Sequence, residues 1–190
     1  LAKKGEYDAM TLDSCKGKMN IKNGQIILNE TGFNLIGCKV VMNATYGSIT
    51  PKKAYFDYQI NAKDFDVQRA YKEIKIFHDL APAAAKAQGI VSLDYKLKGR
   101  LNADMMPIYP SIEGGGVLSI KDVKIAGLKM FTAISKSTGR EDVNNPNLKK
   151  MELKTSIKNN VIHVEPTKFK IAGFRPKIEG QTTFDGQLNF

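Results

Sequence analysis

Apolar residues occupy every second position along most of this chain, and that alternation predicts one strand after another, each with an apolar and a polar side. The clearest case is 54–61, where Ala54, Phe56, Tyr58 and Ile60 alternate with Tyr55, Asp57, Gln59 and Asn61. Val91, Leu93, Tyr95 and Leu97 repeat the pattern against Ser92, Asp94, Lys96 and Lys98. Met19 and Ile21 lead through Asn23-Gly24, the strongest short hairpin signal available, to Ile26 and Leu28. Phe33, Leu35, Cys38, Val40 and Met42 continue as one bent or two short strands across Gly37, with turns expected at 30–32 and 46–51. Beyond residue 150 the chain is all sheet: Met151, Leu153, Thr155 and Ile157 face one way, Asn159-Asn160 turns, and Ile162 and Val164 return. Phe169 and Ile171 follow Pro166; Ile178, Thr182 and Phe184 precede a turn at Asp185-Gly186; Leu188 and Phe190 start another strand. Residues 1–14 show no clean period and receive no element.

Two windows change period. From Asp64 or Asp66 as N-cap, Val67, Ala70, Tyr71, Ile74, Phe77 and Ala81 fall at helical spacing and predict one helix of three to four turns. Pro82 opens a second short helix through Lys86, closed by Gly89. The other window, 114–139, organises the chain. It reads as a glycine-opened strand, a tight break, a second strand segment and a short helix. Leu118 and Ile120 give way after Asp122 to Val123 and Ile125, a change of phase expected where an extra residue or a turn interrupts a strand. Leu128, Phe131 and Ile134 then form a helical stripe stopped by Gly139, and 140–150 is a polar, mobile connection containing Pro146.

The architecture that satisfies these periods is α+β and mostly β. It is a long, twisted and curled antiparallel sheet of nine to eleven strands, with two or three short helices against its apolar face. The whole of 1–190 forms one unit: strands over 1–62, a helical insertion over 63–89, strands over 90–127, a short helix over 128–139 and a strand meander over 151–190.

Charge narrows the partners. The formal net charge is +10, yet the lysines are dispersed and there are only four arginines, without interleaved aromatics or a nucleic-acid motif. That excludes nucleic acid and leaves a lysine-rich solvated face or attraction to acidic partners such as lipid headgroups. No run of apolar residues is long enough to span a bilayer. The chain begins at Leu1 in mid-phrase and ends at Phe190 at the close of an alternating strand, which suggests a segment of a longer protein. Cys15 and Cys38 lack zinc-site spacing, and a bridge between them would have to cross an intervening strand, so two free thiols are expected.

Candidate chemistry is thin. His78 and His163 have no ligand set at metal spacing and read as ordinary surface or boundary histidines. Gly114-Gly115-Gly116 opens a strand rather than joining a strand to a helix, so it reads as a close approach of backbones and not as a phosphate loop. Ser135 and Ser137 lack a base and an oxyanion loop. Catalytic residues, metal ligands and cofactors are therefore expected to be none. The Phe131 and Ile134 stripe reads as core, or as a helix lying over a lipid site or membrane surface.

The segment GGGVLSIKDVKIAGLKMFTAISKSTG, a polar loop, and MELKTSIKNNVIHVEPTKFKIAGFRPKIEGQTTFDGQLNF together resemble the C-terminal region of AsmA-like proteins of the Gram-negative envelope. Gly116, Gly127, Gly139, Asn160, Gly173, Gly180 and Asp185 fall where that phrase places them, and GKMNIKNGQIILNETGFNL looks like another phrase of the family. The resemblance implies a non-enzymatic periplasmic module of a protein anchored in the inner membrane outside this segment. It also implies an apolar β-groove for phospholipid acyl chains or for outer-membrane assembly. The candidate lining is Leu118, Ile120, Phe131, Ile134, Met151, Leu153, Ile157, Ile162, Val164, Phe169 and Ile171. The alternative expectation is a structural module with a fully packed core, binding envelope proteins through exposed sheet edges.

Overall fold

The computed structural model describes residues 2–7, 10–50, 53–171, 173, 175–183 and 188–189. It is one open antiparallel sheet of eleven strands in strict chain order: β1 (Ala2–Tyr7), β2 (Met10–Lys22), β3 (Gln25–Leu35), β4 (Cys38–Thr50), β5 (Lys53–Asp66), β6 (Ala87–Leu101), β7 (Glu113–Ile125), β8 (Asn147–Lys158), β9 (Val161–Lys168), β10 (Lys177–Thr183) and β11 (Leu188–Asn189). Three short helices, α1 (Val67–Glu73), α2 (Lys75–Leu80) and α3 (Lys129–Thr138), complete the mostly β, α+β fold. Residues Phe184, Asp185, Gly186 and Phe190, part of the expected last turn and strand, lie outside the described residues, as does Pro51.

Because alternation places every second residue on one face, the register stacks the apolar positions in rows across the sheet. One row runs Phe33, Val40, Ala62, Leu93, Leu118, Leu153. A second runs Phe65, Val91, Ile120, Met151, and a third includes Leu28, Ala44, Tyr58, Leu97, Gly114, Ile157 and Ile162. The sheet thus has two ends. The hairpin end carries the Asn23-Gly24 and Asn159-Asn160 turns, all four residues at positive φ, and the 102–112 loop. The helix end carries α1, α2, α3 and the link between β9 and β10.

Several elements depart from expectation, each for a local reason. Residues 2–7 and 10–22, read as aperiodic to residue 14, are strands, paired Lys4 to Asp13 and Tyr7 to Met10; polar residues suffice where neighbouring backbone supplies the hydrogen bonds. The expected turn at 30–32 is a bulge inside β3, with Glu30 at φ 46°, and the chain reverses instead at Ile36-Gly37. The expected turn at 46–51 is strand as far as Thr50. Cys15 and Cys38 are free, on β2 and β4 with β3 between them.

The long helix is two. Ile74 adopts an extended conformation between α1 and α2, and the break lets Phe77 pack edge-on to Phe65, ring centroids 5.7 Å apart. Asp66 caps α1, its Oδ1 accepting from the Arg69 backbone at 2.8 Å. Asp64 is instead a bulge residue of β5, joined to Lys121 at 2.6 Å. The short element after Pro82 is a 3-10 turn ending at Lys86, and Gly89 does not close it. Gly89 lies within β6, where a Cβ would collide with the Asp122 carbonyl oxygen. The break predicted near Asp122 is a bulge in an unbroken β7, so Ile120 and Val123 both reach the apolar face. The polar connection after Gly139 is short and anchored. A 3-10 turn at Glu141–Val143 buries Val143 to 1 % exposure, and β8 begins at Asn147.

Candidate functional site

At the helix end an opening lies on the apolar face. α3 has one apolar stripe and ends in Gly139, whose φ of 67° supplies the left-handed stop that a side chain would resist. Thr132 Oγ1 donates to Asn144 Oδ1 at 2.9 Å, and the Arg140 backbone donates to the Ser135 carbonyl at 3.2 Å, so the turn after α3 is tied back onto it. On the other side the chain leaves the sheet after β9, and Phe169 N donates to Pro176 O at 3.1 Å to close the link. Between α3 and this link lies a cavity of about 650 Å³. Phe131, Ile134, Val143, Phe169, Ile171 and Ile178 supply its apolar wall. Arg175 and Lys177 stand at its polar side, with Lys177 held by Glu179 at 2.8 Å. Among the described residues Arg175 takes part in no ion pair.

Four of the sequence-predicted lining residues therefore meet in one place: Phe131, Ile134, Phe169 and Ile171. Leu118, Ile120, Met151 and Leu153 belong to the same apolar cluster but lie in the sheet beneath, with Ile120 and Met151 buried as packed core. Ile157 and Ile162 are separated from them. They pack with Phe56, Leu97 and Ile112 in a second cluster at the hairpin end. Val164 is half-buried between the two, in the row of Tyr95, Gly116 and Thr155.

That row acts as a crossbar. The Tyr95 ring lies across Gly116, where a Cβ would sit 2.7 Å from the ring and collide with the Asp94 carbonyl oxygen. Its hydroxyl is hydrogen-bonded to Thr155 Oγ1. Burial pushes the Tyr95 phenol up, partly offset by that bond. The glycine triplet thus serves close approach of backbone and ring, not an anion.

A second polar cluster escaped the sequence reading. Asp79 on α2 receives Lys75 Nζ at 3.0 Å, His78 Nδ1 at 3.0 Å and the Tyr109 hydroxyl from the 102–112 loop. Burial drives the Asp79 carboxyl upward, and the bonds from Tyr109, His78 and Lys75 outweigh it, leaving its pKa below the ordinary value. Burial, then the Asp79 carboxylate, push Tyr109 up to about 12. The pair clasps α2 to the loop. Its only sequence signal is the i,i+4 spacing of Lys75 and Asp79; the partner 30 residues away has none.

Among the described residues no three His, Cys, Asp or Glu side chains gather as a metal site. His163 is exposed on the polar face, and Ser135 is buried in α3. No helix is long and apolar enough to cross a membrane. Compared with known proteins, the chain matches no family model, no curated protein and no solved structure.

Proposed function

We propose that this chain is a non-enzymatic lipid-handling module, in which the cavity under α3 receives an acyl chain and Arg175 and Lys177 meet an anionic headgroup. The observation that carries the reading is the cavity itself. At about 650 Å³ it falls within the ~300–1,000 Å³ typical of small-molecule sites, and its wall is apolar with Arg175 and the Lys177–Glu179 pair on one side. Transfer of each methylene from water into such a wall is worth about 0.8 kcal/mol, so even part of an acyl chain is held usefully. With the resemblance to AsmA-like proteins, this extends to a periplasmic role in phospholipid transport or outer-membrane assembly, the anchor lying in the inner membrane outside this segment.

A second reading is favoured by a specific observation: Ile120, Met151, Ile157 and Ile162 are all buried, as in a structural module whose edges bind envelope proteins. Native mass spectrometry of the purified chain, followed by organic extraction, separates the two. Co-purifying lipid that is lost in Ile134→Asp, with the fold retained by circular dichroism, supports the cavity. A clean apo mass that persists after incubation with phospholipid vesicles supports the structural module.

A further inference from the structure

Among the described residues eight large apolar side chains remain exposed; Val41, Ile90 and Ile134 lie toward the helix end, and the other five are gathered at the opposite end. Met19 (64 %), Ile21 (73 %), Ile26 (37 %), Ile49 (60 %) and Met105 (46 %) all lie at the hairpin end, opposite the helices. Met19 and Ile21 pair with Leu28 and Ile26 across the β2–β3 hairpin. Ile26 pairs in turn with Tyr46, whose hydroxyl donates to Met105 Sδ at 3.6 Å. Met19, Ile21, Ile26, Tyr46 and Met105 thus form one connected rim.

The charges around this rim are mostly positive. Lys18 and Lys22 alternate with Met19 and Ile21 and take the opposite face of the same hairpin. Lys53, Arg100 and Lys158 add exposed cations at this end, against Asp57 and Asp104; Lys98 and Glu113 neutralise each other at 3.2 Å. An apolar face backed and flanked by lysines matches the boundary of an anionic bilayer, where the apolar side enters the headgroup layer and the ammonium groups meet phosphates.

We infer that the hairpin end is a membrane-docking surface, which sets Met19, Ile21 and Ile26 into the headgroup layer of an anionic phospholipid bilayer with Lys18 and Lys22 on its phosphates. This rests on the chemistry of the rim and is independent of whether the α3 cavity holds lipid.

The test is flotation of the 190-residue chain with vesicles of phosphatidylcholine alone and of phosphatidylcholine with phosphatidylglycerol in equal parts. Binding is expected to the anionic vesicles and to weaken with salt. The double variant Met19→Asp/Ile21→Asp is expected to lose at least tenfold in affinity. Lys18→Gln and Lys22→Gln are expected to lose about fivefold each. Since the chain has no tryptophan, Ile21→Trp reports insertion directly, by a blue shift on adding anionic vesicles and quenching by brominated lipid. The inference is overturned if the chain stays unbound at low salt, if the double variant binds as well as the parent, or if the indole fluorescence of Ile21→Trp is unmoved while the chain floats. It is equally overturned if the rim proves to join two copies, seen as a dimer that the double variant dissolves without any vesicle binding.

Discussion

The two apolar clusters of this sheet share one floor and differ in their roofs. At the hairpin end Phe56, Leu97, Ile157 and Ile162 are covered by a loop that presses Ile112 down to 0 % exposure, and the space is filled. At the helix end the same alternation supplies Ile120 and Met151, but the roof above the β8–β10 side is a ten-residue helix. A helix touches a sheet along a stripe, whereas a loop can follow its contour. Where the chain leaves the sheet between β9 and β10, the stripe of α3 does not fill the space, and a cavity remains. The floor decides that a surface is apolar, and the roof decides whether it is open.

That comparison is tested first where the packing is tightest. Ile112→Ala should cost about 2–5 kcal/mol by urea denaturation, since a filled site gains a cavity; Ile178→Ala, on a wall already beside empty space, should cost less than half as much. Equal losses would mean that the two clusters are packed alike. Next, Gly116→Ala should destabilise by about 2 kcal/mol, because the added carbon must displace the Tyr95 crossbar or the strand behind it. A neutral result would show that the crossbar gives way easily and that the two clusters communicate.

The clasp between α2 and the loop comes third. Tyr109→Phe should cost about 1.5 kcal/mol near neutral pH, as a bond to an ionised carboxylate is lost. The pH dependence has a fixed sign. Tyr109 is raised to about 12, so its contribution is complete below the ordinary phenol value near 10 and fades as pH rises from there toward 12. Asp79 is lowered, so its contribution is complete above the ordinary carboxylate value and fades as pH falls through its folded value. The gap in unfolding free energy between parent and variant should therefore narrow at both extremes, and a gap that stays constant across them would remove the clasp. The smallest effect is expected from Ile178→Phe, which should change stability by less than about 1 kcal/mol because the cavity accommodates the ring. In the same variant, lipid uptake measured by native mass spectrometry should fall if the cavity is the site.

Much of the fold was legible because its signals are local. Asn23-Gly24 and Asn159-Asn160 turn where such dipeptides turn, Gly139 ends α3, and the phase change after Asp122 marks a real extra residue. The errors came where a distant partner overrode a local cue. Gly89 and Gly32 carry turn character, yet both sit in strands because neighbouring backbone claims them. Ile74 breaks a helix whose periodicity is uninterrupted, in company with a Phe77–Phe65 contact made across elements. Of the site, the apolar identity of Phe131, Ile134, Phe169 and Ile171 was readable. Their separation from Ile157 and Ile162 was not, since nothing in the spacing says that Tyr95 reaches Thr155.

Sequence alone determined that this chain builds a sequentially ordered antiparallel sheet with one apolar face, because a period of two residues is a property of the extended backbone. Only the tertiary structure decided which part of that face is packed, which is bridged and which is open. Those outcomes depend on how separate segments, α2 with the 102–112 loop and α3 with the link after β9, share a volume that neither defines by itself.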